Sequence, residues 1–571
     1  MILVGTLLGS SYARYRQAKP KNFTAVLDEV FAEQRVLDAP LVNNAGSELL
    51  FAQDAKQGVA VFLMELATLK QTHICETDTE DNKGKRTFRL IGWSPDDRYL
   101  ALSAMMLNTN QNKRVQQLII CDGITGAKGG LFEIAKNPQS CAWLSSNSIV
   151  ILTDSHKLML YTLEVSGNLV HEKAKPVQLR VLSNAGAYGM VRVSDNTLAY
   201  IDKDNLWALD TSIFQAKQLT HLAGAKLEWL DYSQATGKYL FCMSPSGNVT
   251  NRFVYEFLPG ETNEPVQLTH DYSFKGQWLK DKTGMAYVCT TGDKSFLAIE
   301  SEDINISTNL FTGGSIRSYS ISPKRDAIYA VASLRYKAQS IWEYNIFDKT
   351  IRNVLRGGER ENTFSQIVKP ISASTTNKNG ETVEYFTVPP AKLVKNKKYP
   401  AVLDLYPINR YDQNVQVLAN AGIYYSTATR LGLTDWQQVA KPEDILAVYN
   451  ELLKNPNIDA SRIYIYGRSF STGAVTEMVN DYPDLWRGMI LFSPVSFPII
   501  PAKATKYPSI FIAEGDKDED QLQEHCNHLW QDACNRLVPA RIHFEHAGHG
   551  FTEENYKTSY AILTEFIQAG Y

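Results

Sequence analysis

The sequence predicts two folded domains: an all-β propeller of about seven blades, then a doubly wound α/β sheet. Three observations carry this. The chain has 571 residues, too many for one core. From about residue 40 to 360, short apolar runs alternate with turns rich in Gly, Asn, Asp and Ser. From about 395 onward, strands alternate with longer helical patterns. The expected division is an N-terminal segment over 1–40 packing on the body, a propeller over 41–360 and an α/β domain over 361–571.

Composition narrows the class. Hydrophobic residues are 44% and charged residues 21%, which fits a globular chain. A net charge of −3 gives no electrostatic footprint for nucleic acid or an anionic membrane. The seven cysteines are scattered, odd in number and without a CxxC pair, so free thiols are expected rather than a zinc site or a disulfide scaffold. No metal or cofactor is expected.

The first residues, MILVGTLLGSSYARYRQ, hold an apolar run from Ile2 to Leu8 that is far too short to span a bilayer. It reads either as the core of a signal peptide lacking its basic start, or as a first element packed on the body. No other stretch reads as transmembrane. Cytoplasm and periplasm both stay open, as does a homodimer. Asn22, Asn248 and Asn305 sit in glycosylation sequons too common to decide the compartment. Residues 22–36 read as a helix ahead of the first blade.

The β regime repeats. LIGWSPDDRYLAL (90–102), SCAWLSSNSIVIL (140–152), MVRVSDNTLAYI (190–201), LEWLDYSQATGKYLF (227–241), GQWLKDKTGMAYV (276–288) and SYSISPKRDAIYAV (318–331) share one form. Each is an apolar strand, a polar turn and a second apolar strand. NNAGSELLFAQD (43–54) reads as an earlier copy. A third strand follows in pieces such as QQLIICD (116–122) and NLWALD (205–210). A spacing of roughly 36–50 residues is the scale of one four-stranded blade. One blade cannot bury both its faces, so stacking in a ring is the physical solution. A pair of β-sandwiches is the rival, but the period persists too long for it.

The α/β regime opens with a hairpin, TFSQIVKPISAS and TVEYFTVPP, joined to the body through the basic turn KLVKNKKYP. Strands are then read at 399–407, 422–429, 462–467, 488–495, 509–515 and 540–547. Helices are read at 442–455, 471–482, 520–537 and from Glu553 to the end. The first of these has Pro442 early and acids in its first turn, a helix-start signature. The order is βαβ throughout.

RIYIYGRSFSTG carries the chemistry. A strand ends at Gly467, a sharp turn carries Ser469, and a helix starts at once. This resembles the nucleophile elbow of α/β-hydrolases, usually G-x-S-x-G, where the following helix N-terminus faces the developing oxyanion. Here Ser471 replaces the second glycine. In that fold the chain order is Ser, then an acid, then His. The strand SIFIAEG leads to Asp518, the candidate acid on its spacing from Gly515, with Asp516 and Asp520 as alternatives. The strand ARIHFEHA leads to His549 between two glycines, the candidate base, with His546 as the alternative.

At these residues the chain resembles the prolyl oligopeptidase family of serine peptidases. The likeness in sequence runs over about 399–551, through GRSFSTG, DYPDLWRGMILFSPVS, GDKDED and AGHGF. LDLYP is similar to the dipeptidyl-peptidase branch, which implies Tyr406 as an oxyanion-hole hydroxyl beside the backbone N–H of Phe470. The resemblance also implies a substrate pocket with Phe470, Val495 and Asp520, and a propeller that restricts access. There are departures. The paired glutamates that hold a free N-terminus are not recognisable, Asp520 stands where that branch has asparagine, and PINRYDQN lacks the family's Gly-rich run. The expected function is a serine hydrolase cleaving short peptides. An esterase acting on acyl-ester substrates and a non-catalytic propeller binding protein are the alternatives.

Overall fold

The structure, a computed structural model, describes residues 40–571 apart from interior stretches, the longest being 78–87, 356–367 and 429–440. The predicted segment ahead of Pro40, its helix over 22–36 and the three sequon asparagines lie outside the described residues, as do residues 407–412 of the loop after Tyr406.

Seven blades form among the described residues, as the repeat predicts. The first is Leu41–Val42, Glu48–Ala55, Gly58–Glu65 and Gln71–Thr77. The fourth is Met190–Ser194, Thr197–Asp202, Asn205–Asp210 and Gln215–Gln218. Two neighbouring blades share a single long strand, Ile306–Ile321. Its first half pairs with Lys294–Ser301 and its second half with Ala327–Leu334. The burial pattern explains the composition. A blade's second strand is covered on both faces by its neighbours, so Tyr239–Ser244 is buried at every residue. The outermost strands are wet: Val266–Gln267 is exposed at both residues.

Apolar clusters lie between successive blades all the way round. The one that closes the ring joins Val42, Leu49, Phe51 and Met64 of the first blade to Tyr329, Val331, Ile341 and Val354 of the seventh. No strand from the C-terminal side of the propeller completes the first blade among the described residues. Side-chain packing therefore closes the ring, helped by the Ser320 hydroxyl, which donates to the Pro40 carbonyl.

The second sheet has eight strands: β1 (Ile371–Thr376), β2 (Thr382–Val388), β3 (Tyr399–Asp404), β4 (Tyr424–Thr427), β5 (Ile458–Arg468), β6 (Gly488–Phe492), β7 (Ser509–Gly515) and β8 (Ala540–Glu545). Their order is β1-β2-β4-β3-β5-β6-β7-β8. The β1–β2 hairpin and the β2–β4 pairing are antiparallel, and β4, β3 and β5 to β8 run parallel. Both faces are covered, which is why β3, β6 and β7 are buried at every residue. On one face lie α2 (Pro442–Lys454), α3 (Thr472–Asp481) and α4 (Asp520–Asn535), through Val448, Val475, Met478, Cys526 and Leu529. On the other lie α1 (Gln413–Asn420) and α5 (Glu553–Gln568), through Val417, Tyr560, Leu563 and Phe566.

Three readings need correction. The βαβ order is not continuous: between β6 and β7 no helix occurs among the described residues. Helix α1 is missing from the sequence reading. Its segment QNVQVLAN is rich in β-branched and Asn residues of low helix propensity, and burial of Val417 and Leu418 overrides that. The helix after the elbow, read over 471–482, does not follow Ser469 at once: a single 3₁₀ turn over Ser469–Ser471 comes first, and the helix runs over Thr472–Asp481.

Phe51 is fully buried in the closing cluster and stacks on Phe62 at 5.5 Å. Phe51→Ala is expected to cost about 3–5 kcal/mol of propeller stability, seen as a lower urea midpoint; an unchanged midpoint would show that this cluster does not hold the ring.

Candidate active site

β5 ends in a turn that its sequence makes tight. A Cβ on Gly467 would come 2.7 Å from Val475 Cγ2 and 3.0 Å from the Ser471 carbonyl oxygen, so only glycine lets α3 fold back on the strand. The next turn places Ser469 at φ +51°, in the left-handed region that a residue with a Cβ rarely occupies. Such strain persists only where the surroundings hold it. Ser471 does part of this. Its buried hydroxyl accepts from the Arg468 N–H at 2.8 Å and donates to the Arg468 carbonyl at 2.9 Å. Serine in the usual glycine position thus contributes two hydrogen bonds to the turn. Thr472, fully buried, donates to the Ser469 carbonyl at 2.6 Å and accepts the N–H groups of Val495 and Ser496, each at 3.2 Å.

His549 reaches this turn from the loop after β8. Its Nε2 is 2.8 Å from Ser469 Oγ, and its Nδ1 is 2.7 Å from Asp518 Oδ2. The imidazole is 41% exposed while the Asp518 carboxyl is 4% exposed, so the carboxyl is sheltered and the ring is open to solvent. The two loops are locked together. A Cβ on Gly515 would lie 2.3 Å from the Ala547 carbonyl oxygen and 2.4 Å from that of Gly548. Lys517 N–H donates to the same Ala547 carbonyl at 2.8 Å. Burial raises the Asp518 pKa, but the hydrogen bonds from His549 and from the Glu519 N–H outweigh it and hold the carboxyl below its ordinary range. An ionised carboxylate on Nδ1 selects the tautomer that leaves Nε2 free to take a proton from a hydroxyl.

The other expected residues sit as follows. Tyr406 stands at the end of β3 with its ring 5.5 Å from that of Phe470. Its backbone N–H donates to Asp404 Oδ1 at 2.7 Å. Val495 is 45% exposed on the loop after β6. Asp520 is exposed at the first turn of α4. Asp516 and His546 bond each other at 2.9 Å on the exposed surface, apart from the Ser469 hydroxyl.

Several supporting groups escape the sequence reading. Buried Asp404 also accepts from Tyr425 Oη at 2.6 Å, tying β3 to β4 beneath Tyr406. The Arg468 guanidinium lies over the rings of Tyr406 at 5.5 Å and Tyr556 at 5.0 Å, joining the elbow to α5. An acid ending an apolar strand was a usable signal for Asp404. Arg468 carries none, because its partners lie far away in sequence.

No protein-family model and no curated protein matches the sequence. Solved structures do. One is a prolyl endopeptidase from a structural and mechanistic study of two such enzymes, at TM-score 0.68 and 13% identity, covering 99% of this chain and 94% of that one. Another is the Pyrococcus horikoshii acylaminoacyl peptidase, at TM-score 0.67 and 11% identity, covering 94% and 95%. At such identities the likeness establishes the fold of propeller and α/β sheet together.

Ser471→Ala removes both bonds to Arg468 and leaves a half-buried N–H and carbonyl to find water. A loss of about 1–3 kcal/mol is expected, measured by chemical denaturation of the folded protein.

Proposed function

We propose that this chain is a serine hydrolase that cleaves short peptides, with Ser469 as nucleophile, His549 as general base and Asp518 as the acid that orients it. One observation carries the proposal: a strained serine joined through His549 to a buried carboxylate by bonds of 2.8 and 2.7 Å. Strain, base and acid together are what turns an ordinary hydroxyl into a nucleophile.

The steps follow from the groups present. His549 Nε2 takes the Ser469 proton as Oγ attacks a carbonyl carbon. Asp518 keeps the Nδ1 proton in place and offsets the charge on the imidazolium. The oxyanion is assigned to the Phe470 backbone N–H and the Tyr406 hydroxyl, whose strand end is held by Asp404. The imidazolium then gives its proton to the leaving amine, and water resolves the acyl-enzyme by the same route. Phe470 and Val495 are assigned to the pocket beside the scissile bond; the Thr472 hydroxyl links the Val495 loop to the Ser469 carbonyl, so pocket and nucleophile are held by one side chain. Asp520 is kept at the pocket's edge only on resemblance.

The division assigned is a propeller over 41–360 and a catalytic domain over 361–571, with the propeller restricting access to small or extended substrates. Support comes from the likeness to two peptidase structures that runs through the propeller as well as the sheet. It favours a peptide over an ester.

Wild-type protein should react with a fluorophosphonate probe, and Ser469→Ala should abolish labelling and lower kcat/KM on peptide amides by about 10⁴-fold or more. Folded protein that resists the probe would support a non-catalytic role. Rapid turnover of short p-nitrophenyl esters without cleavage of any peptide amide would support the esterase.

A further inference from the structure

Behind the acid lies a second carboxyl that the chemistry above does not use. Glu514, the penultimate residue of β7, is fully buried. Its Oε1 accepts the Gly515 N–H at 2.7 Å, and the Cys526 thiol of α4 lies 3.5 Å from Oε2. The loop carrying Asp518 turns back on this strand end, its Asp518 N–H donating to the Gly515 carbonyl at 3.2 Å, and Asp518 acts on the Glu514 carboxyl as a neighbouring charge and hydrogen-bond partner. Two carboxylates cannot share a hydrogen bond without a proton between them. The question is which one holds it.

Asp518 already accepts the His549 Nδ1–H at 2.7 Å on one oxygen and the Glu519 N–H at 2.8 Å on the other. Both contacts favour its anion. The groups that meet the Glu514 carboxyl among the described residues are the Gly515 N–H, the Cys526 thiol of α4 and Asp518 from the acid loop, and none of these is a cation. The thiol is itself pushed up by burial and stays neutral. The proton therefore belongs on Glu514. The electrostatics agree, since burial first, then the hydrogen bond and charge of Asp518, push Glu514 up to about 8.

We propose that Glu514 is a positioning residue, a neutral carboxylic acid that donates its hydrogen bond to Asp518 and through it fixes the orientation of His549. The inference rests on the reading of Ser469, His549 and Asp518 given above and extends that chain of groups by one member. It has a consequence for pH. As pH rises through about 8, Glu514 ionises. The donor is then lost and a second negative charge appears beside Asp518, so activity falls on the alkaline side.

The test has two arms on the full-length protein. Infrared spectroscopy of the wild type at pH 7 should show the C=O stretch of a protonated buried carboxyl. That band should fade with a midpoint near pH 8 and be missing in Glu514→Gln. No such band in the wild type, or one that persists in Glu514→Gln, overturns the proposal whether or not the protein turns over substrate. In the second arm, kcat is followed against pH. Glu514→Gln keeps a neutral donor that cannot titrate, so it should lose the alkaline fall near pH 8. Glu514→Ala has no donor and should lose about 10-fold or more in kcat, as small misplacement of a reacting group does. A Gln variant with the wild-type alkaline limb also overturns the proposal. A wild type inert to fluorophosphonate, yet showing the titrating band, would instead sink the serine hydrolase reading and leave Glu514 as a proton-holding partner of Asp518.

Discussion

The parallel register of β3 and β5 to β8 is the constraint on which the site depends. Asp404 pairs with Tyr466, Arg468 with Phe492, Phe492 with Ala513 and Gly515 with Glu545. Strands paired in this way end on one edge, so the loops that follow them emerge side by side. Tyr406, Ser469, Val495, Asp518 and His549 each sit on one of those loops. Groups spread over nearly 150 positions of sequence reach one another because they share an edge. Two glycines make the last approach. Gly467 lets α3 fold back on β5, and Gly515 lets the His549 loop lie on the end of β7.

That edge is held by polar bonds that are themselves buried. Asp404 fixes the Tyr406 backbone and the Tyr425 hydroxyl, Ser471 ties down Arg468, and Thr472 joins the Ser469 carbonyl to the Val495 loop. In a low-dielectric setting an unmet partner is costly, so each such bond specifies a geometry rather than merely adding stability. The same logic makes Glu514 informative. A carboxyl with no exposed surface beside a second carboxyl is stable only if one of the two is neutral.

The propeller is organised differently. Its blades are built from contiguous chain and joined by apolar clusters, including the one between the first and seventh blades. Their second strands are buried on both faces, so they read as unbroken apolar runs, while the outermost strands read as alternating and polar. This is why the repeat was visible at all: burial is the same in every blade, and residue type follows burial.

Much was legible in the sequence for that reason. The two regimes, the count of seven blades and the helix from Pro442 follow from local periodicity and local caps. Ser469, Asp518 and His549 could be singled out because each follows a strand end and lies next to or close after glycine. Helix α1 was not legible, since its stability comes from packing on α5 and β4 rather than from its own propensities. Tertiary structure alone decided which acid meets which base. Asp516 and Asp518 are two positions apart, yet one bonds exposed His546 and the other sheltered His549. It also decided that Ser471, in the usual glycine position, bonds twice to the Arg468 backbone, and that Glu514 stands behind Asp518. Sequence records residue type and order, which set periodicity and turns. Side-chain direction and burial at a shared strand edge depend on register across the sheet, and register arises only when distant strands pair.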